Sequence, residues 1–469
     1  MRGLKIIAGM AVILAAGMTV TLRTVSAQTD EATFTKDIAP ILQRSCQHCH
    51  RPDSIAPMSL LTYEEVRPWA KAIKQRTALR RGRGAMPPWF IEKEIGIQSF
   101  KDDISLSDAE IAKIGKWADS GAPRGNPADL PPTKVFADNA SWQIGPPDLV
   151  VMSPAVEMKP ISPDYWGALA PVPTGLPEDR YVAAMEIKEI NDSRNKPGRA
   201  TVGGRFVFHH AVLSVNGPDG RPSGGAWPVH EVGRNADVFD TQAGKLLRAG
   251  STLSFPSVHL HANGKETTAS LQVGFKFHPV GYKPQIQSTL ISIGTDDLDF
   301  PGGARATQSA YMALSQPLKL TVFEPHMHAT GVRMCLEAIY GSQVETLNCS
   351  SYDHSWVKTY AYEEDAAPLL PRGAILKVTG YFDNTPENKN VVDPRNWSGL
   401  GHRSIDNMLI MIAQGVYLTD EQFAQEVARR RTSLNLLEGQ TAPGCPLCGF
   451  SKIPGRPGLP AAGGGGRAQ

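Results

Sequence analysis

The sequence predicts a multi-domain protein in which a small all-α domain is followed by two tandem antiparallel β-sandwich domains. Between residues 34 and 117, three separate segments carry apolar residues at helical spacing. From about residue 142 to 435, short runs instead alternate between polar and apolar residues, with turn signals between them. The chain is also rich in turn formers, with 44 Gly and 37 Pro. The second region is therefore typical of antiparallel sheets and is long enough for two sandwiches.

The domain boundaries follow from changes in composition. We place the all-α domain at residues 28–125, a linker at 126–141, the two sandwiches at 142–285 and 286–435, and a disordered tail at 436–469. The tail ends in a glycine-rich run, a composition that cannot bury a core.

Each predicted element has a local pattern behind it. The apolar spacing predicts helices over Phe34–Arg44, Tyr63–Leu79 and Asp108–Trp117, the last with Ser105 or Ser107 as its cap. The alternating runs predict strands over Tyr181–Ile187, Arg205–Val215, Leu271–Phe277, Leu318–Phe323, Ile375–Tyr381 and Met408–Tyr417.

Residues 1–27 read as an export signal. Arg2 and Lys5 precede an apolar run over Ile6–Val20, and small residues follow at the cleavage positions. An uncleaved membrane anchor is the alternative, but the run is short for a span and is interrupted by glycine. We expect the mature protein in the periplasm or secreted, without an integral membrane segment. The net charge of +2 favours neither nucleic acid nor an anionic membrane as a partner.

The segment Cys46-Gln47-His48-Cys49-His50 has the C-x-x-C-H form of c-type haem attachment. The two thiols add to the haem vinyl groups and His50 becomes an axial iron ligand. A redox dithiol or half of a zinc site is the alternative, although no second ligand pair lies nearby in the sequence. With its predicted helices, this segment resembles a small class I cytochrome c.

A class I cytochrome c implies a methionine as the sixth iron ligand, and the sequence offers two candidates. Met86 opens the rigid stretch Met86-Pro87-Pro88-Trp89, which suits a ligand loop. Met58 lies closer to the haem motif and is the alternative, with a place in the core beside the haem as its other role. We favour Met86, and methionine ligation would raise the reduction potential.

Histidines recur in the sandwich region. His326 and His328 alternate on a predicted strand, so both imidazoles face the same side and can reach one metal. His259 and His261 form a second His-x-His. His209 and His210 are adjacent, and their joint use requires a bulge or a strand end. Three histidines that belong to none of these paired motifs, His230, His278 and His354, are expected to be structural or surface residues.

The order of these motifs resembles the copper type II, ascorbate-dependent monooxygenases. The resemblance covers residues 142–420 and rests on His-His, a histidine before an Asn-Gly-Lys turn, Pro-His-x-His-x-x-Gly and Asp-x-Met. The family implies two copper ions on two jelly-roll-like domains that face each other across a cleft. By resemblance, one copper is held by His209, His210 and His259, with His261 as the alternative third ligand. The second, which meets O2, is held by His326, His328 and Met408.

The cysteines outside the haem motif suggest disulfides. Cys335 and Cys349 would staple a hairpin directly after the His-x-His strand, whereas the animal members of the family carry many disulfides. Cys445 and Cys448 lack a following histidine and are expected to close a small disulfide loop in the tail, with a metal or redox role as the alternative.

These expectations combine into a copper-dependent monooxygenase that hydroxylates a C–H bond of a small organic substrate with O2. The tethered haem would deliver electrons from ascorbate or from a respiratory carrier. The alternative is a periplasmic electron-transfer or copper-binding protein without oxygenase activity. A third hypothesis, sandwiches that bind without a cofactor, predicts no stoichiometric copper.

Overall fold

The computed structural model describes residues 31–52, 54, 56–136, 142–197, 205–231 and 236–450. The predicted signal peptide, residues 137–141 of the predicted linker and residues 451–469 of the predicted tail lie outside the described residues. No helix in the described part of the chain is both long and apolar enough to cross a membrane.

The helices are short. They are α1 Ala39–Ser45, continuing a π-helical turn Phe34–Ile38, α2 Tyr63–Val66, α3 Ala70–Ala78, α4 Asp108–Asp119 and α5 Asp420–Ser433. Three of the helices begin with a capping box. In each, the hydroxyl of the cap residue accepts from the backbone amide three residues later, and the side chain of that later residue accepts from the amide of the cap. The pairs are Thr62 with Glu65, Ser107 with Glu110, and Thr419 with Gln422.

Nineteen strands make up most of the regular structure in the described residues. They are β1 Leu149–Met152, β2 Val156–Met158, β3 Tyr165–Pro173, β4 Arg180–Asn191, β5 Phe208–Asn216, β6 His230–Glu231, β7 Ala236–Val238, β8 Lys245–Leu247, β9 Thr252–Leu260, β10 Thr267–Phe277, β11 Gln287–Gly294, β12 Arg305–Ala313, β13 Leu318–Met327, β14 Gly331–Tyr340, β15 Gln343–Ser351, β16 Tyr360–Ala361, β17 Leu369–Leu370, β18 Ile375–Asp383 and β19 Leu409–Tyr417.

The strands form four antiparallel sheets that pair around two cores. In the first sandwich the sheet β1-β10-β4-β7, with β2 and β8, packs on the sheet β3-β9-β5-β6. In the second, β11-β19-β13-β16, with β17, packs on β12-β18-β14-β15. Fully buried side chains such as Val273 and Leu409 alternate with outward positions, as the two-residue period of a strand requires.

The predicted fold class, with a small all-α cytochrome c domain before two tandem sandwiches, is wrong. The described chain is mostly β-sheet, and its described residues include no large all-α domain. Helices α1 to α4 share only a small core. The extended stretch between α3 and α4 leaves that core and joins the second sandwich, where Ile91 bridges to Ser350 and Phe100 to Tyr362. Helical spacing was absent from this stretch, and its apolar residues are buried by sheet instead.

The two sandwiches are joined by a buried ion cluster. The Lys319 ammonium contacts the Glu364 carboxylate and lies 3.6 Å from Asp240 of the first sandwich. Nearby, the Gln414 amide donates to Asp237 of the first sandwich at 2.5 Å. Lys319 is 5% exposed, and a buried charge is unfavourable unless it is paired, as it is here.

Residues 436–450, which we expected to belong to a disordered tail, include a buried disulfide. Cys445 and Cys448 form a disulfide and are fully buried. They share a hydrophobic cluster with Ala243 of the first sandwich and with Leu369 and Val416 of the second. The apolar disulfide gives this short segment a core contact that its glycine content did not indicate.

Candidate functional site

Three histidines of the first sandwich converge. His209 and His210 lie on β5 and His259 on the neighbouring strand β9, with His210 directly opposite His259 in the strand pairing. The register shifts between Phe208 and His210, so the strand irregularity that adjacent histidines require is present. Ligand atoms of His209, His210 and His259 all lie within 4.8 Å of one another, a spacing suited to one metal ion.

His261 stands further from this group. Its ring centroid lies 6.1 Å from that of His209, whereas the His209 and His259 centroids are 4.8 Å apart. Its backbone amide donates to the carbonyl of Val207 beyond the end of β9. Of the two predicted alternatives, the geometry groups His259 with His209 and His210.

His259 is held from several sides. Its Nε2 lies 2.9 Å from Oδ2 of Asp164, and the Trp166 ring stacks on it at 4.6 Å with an interplanar angle of 12°. On the other edge, Oγ of Ser404 lies 3.4 Å from Nδ1. A carboxylate partner on one ring nitrogen fixes the imidazole and raises the basicity of a metal-binding histidine.

The imidazoles of this cluster are neutral near pH 7, the form that binds metal. Burial and the neighbouring His259 hold the pKa of His209 well below its usual range. Burial also lowers the pKa of His210 to about 4, against the opposing effect of the Glu231 carboxylate. The pKa of His259 is lowered by burial despite Asp164.

The second predicted group lies at one end of the pair β13–β19. Met327 is opposite Leu409, so the next residue on each strand, His328 and Met408, stands at the same end of the ladder. The His326 and His328 ring centroids are 5.6 Å apart. His328 and Met408 are 7% and 9% exposed. The structure therefore brings His326, His328 and Met408 to one region of the second sandwich.

Asn407 holds the loop that carries Met408. Its side-chain amide donates to the carbonyls of Leu298 and Ser398, and its carbonyl oxygen accepts from Thr330 at 2.6 Å. Since Thr330 closely follows His328, this contact ties the His-x-His segment to the methionine loop. Asn407 is fully buried, so its side chain has a fixed set of partners.

The two histidines of this group differ electrostatically. Burial, with the neighbouring His326 and His210, lowers the pKa of His328 to about 2. Burial acts in the same direction on His326, but the Glu231 and Glu324 carboxylates outweigh it and raise its pKa. Glu231 stands opposite His210 and its Oε1 atom lies 3.3 Å from Nδ1 of His326, so the histidine clusters of the two sandwiches are neighbours.

The predicted haem motif follows α1. Cys46 and Cys49 are not joined to each other, and burial raises the pKa of the Cys46 thiol to about 12. The Nδ1 atom of His50 lies 3.3 Å from the backbone carbonyl of Met58. That contact orients the imidazole and leaves Nε2 available for iron. Met86 is 38% exposed, and its amide donates to the Arg76 carbonyl.

Sequence reasoning missed the acidic and aromatic partners of the histidines. Asp164, Trp166 and Glu231 carry no metal-ligand spacing of their own, and Asp164 is 95 positions from His259. The one signal in the sequence was the dipeptide His230-Glu231, which places a histidine next to a carboxylate. In the structure both residues are buried on β6. We had expected His230 to be structural or on the surface, and it is 6% exposed.

The comparisons with known proteins identify no family. No family model and no curated protein matches the chain. A solved structure described as "Crystal Structure of the STIV MCP" is 9% identical, with a TM-score of 0.19, and the match covers 49% of this chain and 99% of that one. "Structure of infectious bursal disease virus Gx strain" is also 9% identical, with a TM-score of 0.12, covering 59% and 80%. Scores this low bear on neither fold nor function.

Proposed function

We propose that this protein is an exported copper-dependent monooxygenase that hydroxylates a C–H bond of a small organic substrate with O2, with electrons supplied through a covalently bound haem. The observation that carries the proposal is the convergence of His209, His210 and His259 within 4.8 Å beside a second buried group that contains His326 and His328. Two neighbouring ligand clusters suit a reaction that needs two electrons.

The three-histidine cluster fits copper. Imidazole suits both copper oxidation states, and the cluster presents neutral rings at pH 7. Asp164 and Trp166 hold His259 in one orientation, so the site is organised before metal arrives. In this proposal His209, His210 and His259 hold the copper that stores and passes an electron.

The second group fits a copper that meets O2. His326 and His328 offer imidazole, and Met408 offers a thioether, a soft ligand that favours Cu(I). Copper held there would supply the activation of O2, in an overall reaction that converts R–H, O2, two electrons and two protons to R–OH and water. The chain's own contribution is to bury these ligands and to fix the Met408 loop through Asn407.

The haem motif fits covalent attachment through Cys46 and Cys49, with His50 as an axial ligand. The two thiols are not committed to a disulfide, and the Met58 carbonyl positions the His50 ring. The Met58 carbonyl contacts Nδ1 of His50, whereas iron would bind at Nε2. Met58 therefore lies on the side of His50 that faces away from the iron, and this supports Met86 as the sixth ligand.

The test is metal content and oxygen uptake of full-length protein matured in a bacterial periplasm. We expect one haem and two coppers per chain, with one copper lost in His259→Ala and one lost in the double variant His326→Ala, Met408→Ala. His278→Ala is the matched control, because His278 stacks on Tyr282 at 3.8 Å outside both groups.

Oxygen uptake then separates the candidate functions. Substrate-dependent uptake across a panel of small organic compounds supports the monooxygenase. Two coppers without such uptake favour the electron-transfer or copper-binding alternative. Folded protein without copper after Cu(I) loading would exclude both.

A further inference from the structure

Glu231 connects the two histidine groups. It ends β6, where it stands directly opposite His210 of the three-histidine cluster. Its Oε1 atom lies 3.3 Å from Nδ1 of His326, which belongs to the second sandwich. A single carboxylate of the first sandwich therefore contacts a predicted ligand of the second.

The carboxylate is deeply buried. Glu231 is 1% exposed, and its Oε2 atom has no hydrogen-bond partner among the described residues. A buried carboxylate is unfavourable unless it faces positive charge or a proton donor, and His326 provides that partner.

The contact decides which nitrogen of His326 is free. An imidazole that turns Nδ1–H toward a carboxylate keeps the lone pair of Nε2 for a metal, and such outer partners govern ligand orientation and basicity. The distance from Nδ1 to Oε1 of Glu231 is 3.3 Å, but the alignment falls short of a full hydrogen bond, so Nδ1 faces the carboxylate in a looser polar contact.

We propose that Glu231 is a positioning residue for the second metal group: it holds His326 with Nδ1 toward the first sandwich and thereby sets the affinity of the His326, His328 and Met408 site. The inference rests on the proposed function, because it takes His326 to be a copper ligand. Its position opposite His210 makes Glu231 a direct structural link between the two groups.

A direct ligand role is the competing interpretation. Ligand atoms of Glu231, Glu324 and His326 lie within 4.8 Å of one another, so the same three residues could hold a cation themselves. The two interpretations differ in stoichiometry. A positioning role predicts two metal ions per chain, whereas a separate carboxylate site predicts a third ion that disappears with Glu231.

The experiment is Cu(I) titration of the full haem-containing chain against a chromophoric chelator, on wild type, Glu231→Ala and Glu231→Gln. In Glu231→Ala we expect one of the two copper affinities to fall roughly 10- to 100-fold while the other is unchanged. Glu231→Gln can still accept from Nδ1–H through its carbonyl oxygen, so its loss should be smaller. The electron paramagnetic resonance spectrum of Cu(II) at the affected site should also change more in Glu231→Ala than in Glu231→Gln.

Glu186→Gln is the matched control. Glu186 is also a buried glutamate of the first sandwich, 2% exposed, but it accepts from the backbone amides of Gln143 and Ile144, and no contact with the histidine groups is among its interactions. It should leave both affinities unchanged. If Glu231→Ala does not fold, Glu231→Gln is compared in the wild-type and His326→Ala backgrounds, and its effect should vanish in the second.

The outcomes separate this inference from the proposed function. Wild type with fewer than two coppers overturns both. Two coppers whose affinities stay within twofold in every Glu231 variant overturn the positioning role alone. A third metal equivalent lost with Glu231 overturns it in favour of the carboxylate site.

Discussion

Oγ of Ser404 lies 3.4 Å from Nδ1 of His259. Ser404 belongs to the loop that leads to Met408, so the segment that supplies a predicted ligand of the second group touches the first. The Ser404 carbonyl also accepts from the amide of Ala329, next to His328. A metal ion that moves His259 or His328 should therefore also change the geometry of the other histidine group through this loop.

Asp164 should set the metal affinity of the three-histidine cluster. Replacing Asp164 with Ala removes the carboxylate 2.9 Å from His259 Nε2 and should weaken metal binding there about 10- to 100-fold. Competition with a Cu(I) chelator measures the change. Asp219→Ala is the control, because Asp219 pairs with Arg248 at the surface. Equal affinities in both variants would contradict the role of Asp164.

Met86 and Met58 should behave differently toward the haem. Met86→Ala removes the proposed thioether ligand and should lower the reduction potential, because methionine ligation raises it. Met58→Ala keeps the backbone carbonyl that contacts His50 and should leave the potential nearly unchanged. A redox titration of each variant decides between them, and a large fall confined to Met58→Ala would reverse the assignment.

Lys245 should destabilise the protein below pH 8. Burial lowers its pKa from 10.5 to about 8, so below that value the folded chain carries a desolvated charge. Between pH 8 and 10.5 the folded amine is neutral while the unfolded one still binds a proton, and stability rises with pH.

Lys245→Met should accordingly stabilise the protein by up to about 3 kcal/mol at pH 7, and the gain should shrink toward pH 10.5. Urea unfolding at several pH values measures this. Lys276→Met, at a half-exposed position, should show a change within about 0.5 kcal/mol at pH 7. A gain for Lys245→Met that does not vary with pH would rule out the charge as its cause.

The Cys335–Cys349 disulfide should contribute to the stability of the second sandwich. It joins directly paired residues of β14 and β15 across 14 positions, and loss of such a crosslink costs about 3 kcal/mol in the chain-entropy model. Replacing both cysteines with Ala should lower the urea midpoint. The same change at Cys445 and Cys448, 3 positions apart, should cost less, about 2 kcal/mol, and the reverse order would argue against loop entropy.

Local patterns predicted several elements closely. The helix expected over Asp108–Trp117 is α4, and the proposed cap Ser107 does cap it, because a capping box is written in adjacent residues. The helix expected over Tyr63–Leu79 is instead divided by a 3-10 turn, Arg67–Trp69, that contains a proline. The strand expected over Leu318–Phe323 continues beyond Pro325 to Met327.

The contacts that could not be predicted from the sequence join residues that lie far apart in the chain. The apolar residues of the stretch between α3 and α4 were assigned to a helical domain by chain order, yet they are buried by a sheet that forms more than 200 residues later. Asp164 and Glu231 likewise acquire their roles only when distant strands pair. The histidine motifs were recognisable because each is short, whereas their carboxylate partners have no fixed spacing from them.

The hydrophobic cluster around Cys445 has a consequence for how the molecule unfolds. Because Ala243, Leu369 and the C-terminal disulfide are buried together, neither sandwich can lose its structure without exposing apolar surface of the other. The two sandwiches should therefore melt as one cooperative unit with a single calorimetric transition, and proteolytic removal of residues after 435 should lower the midpoint of that transition.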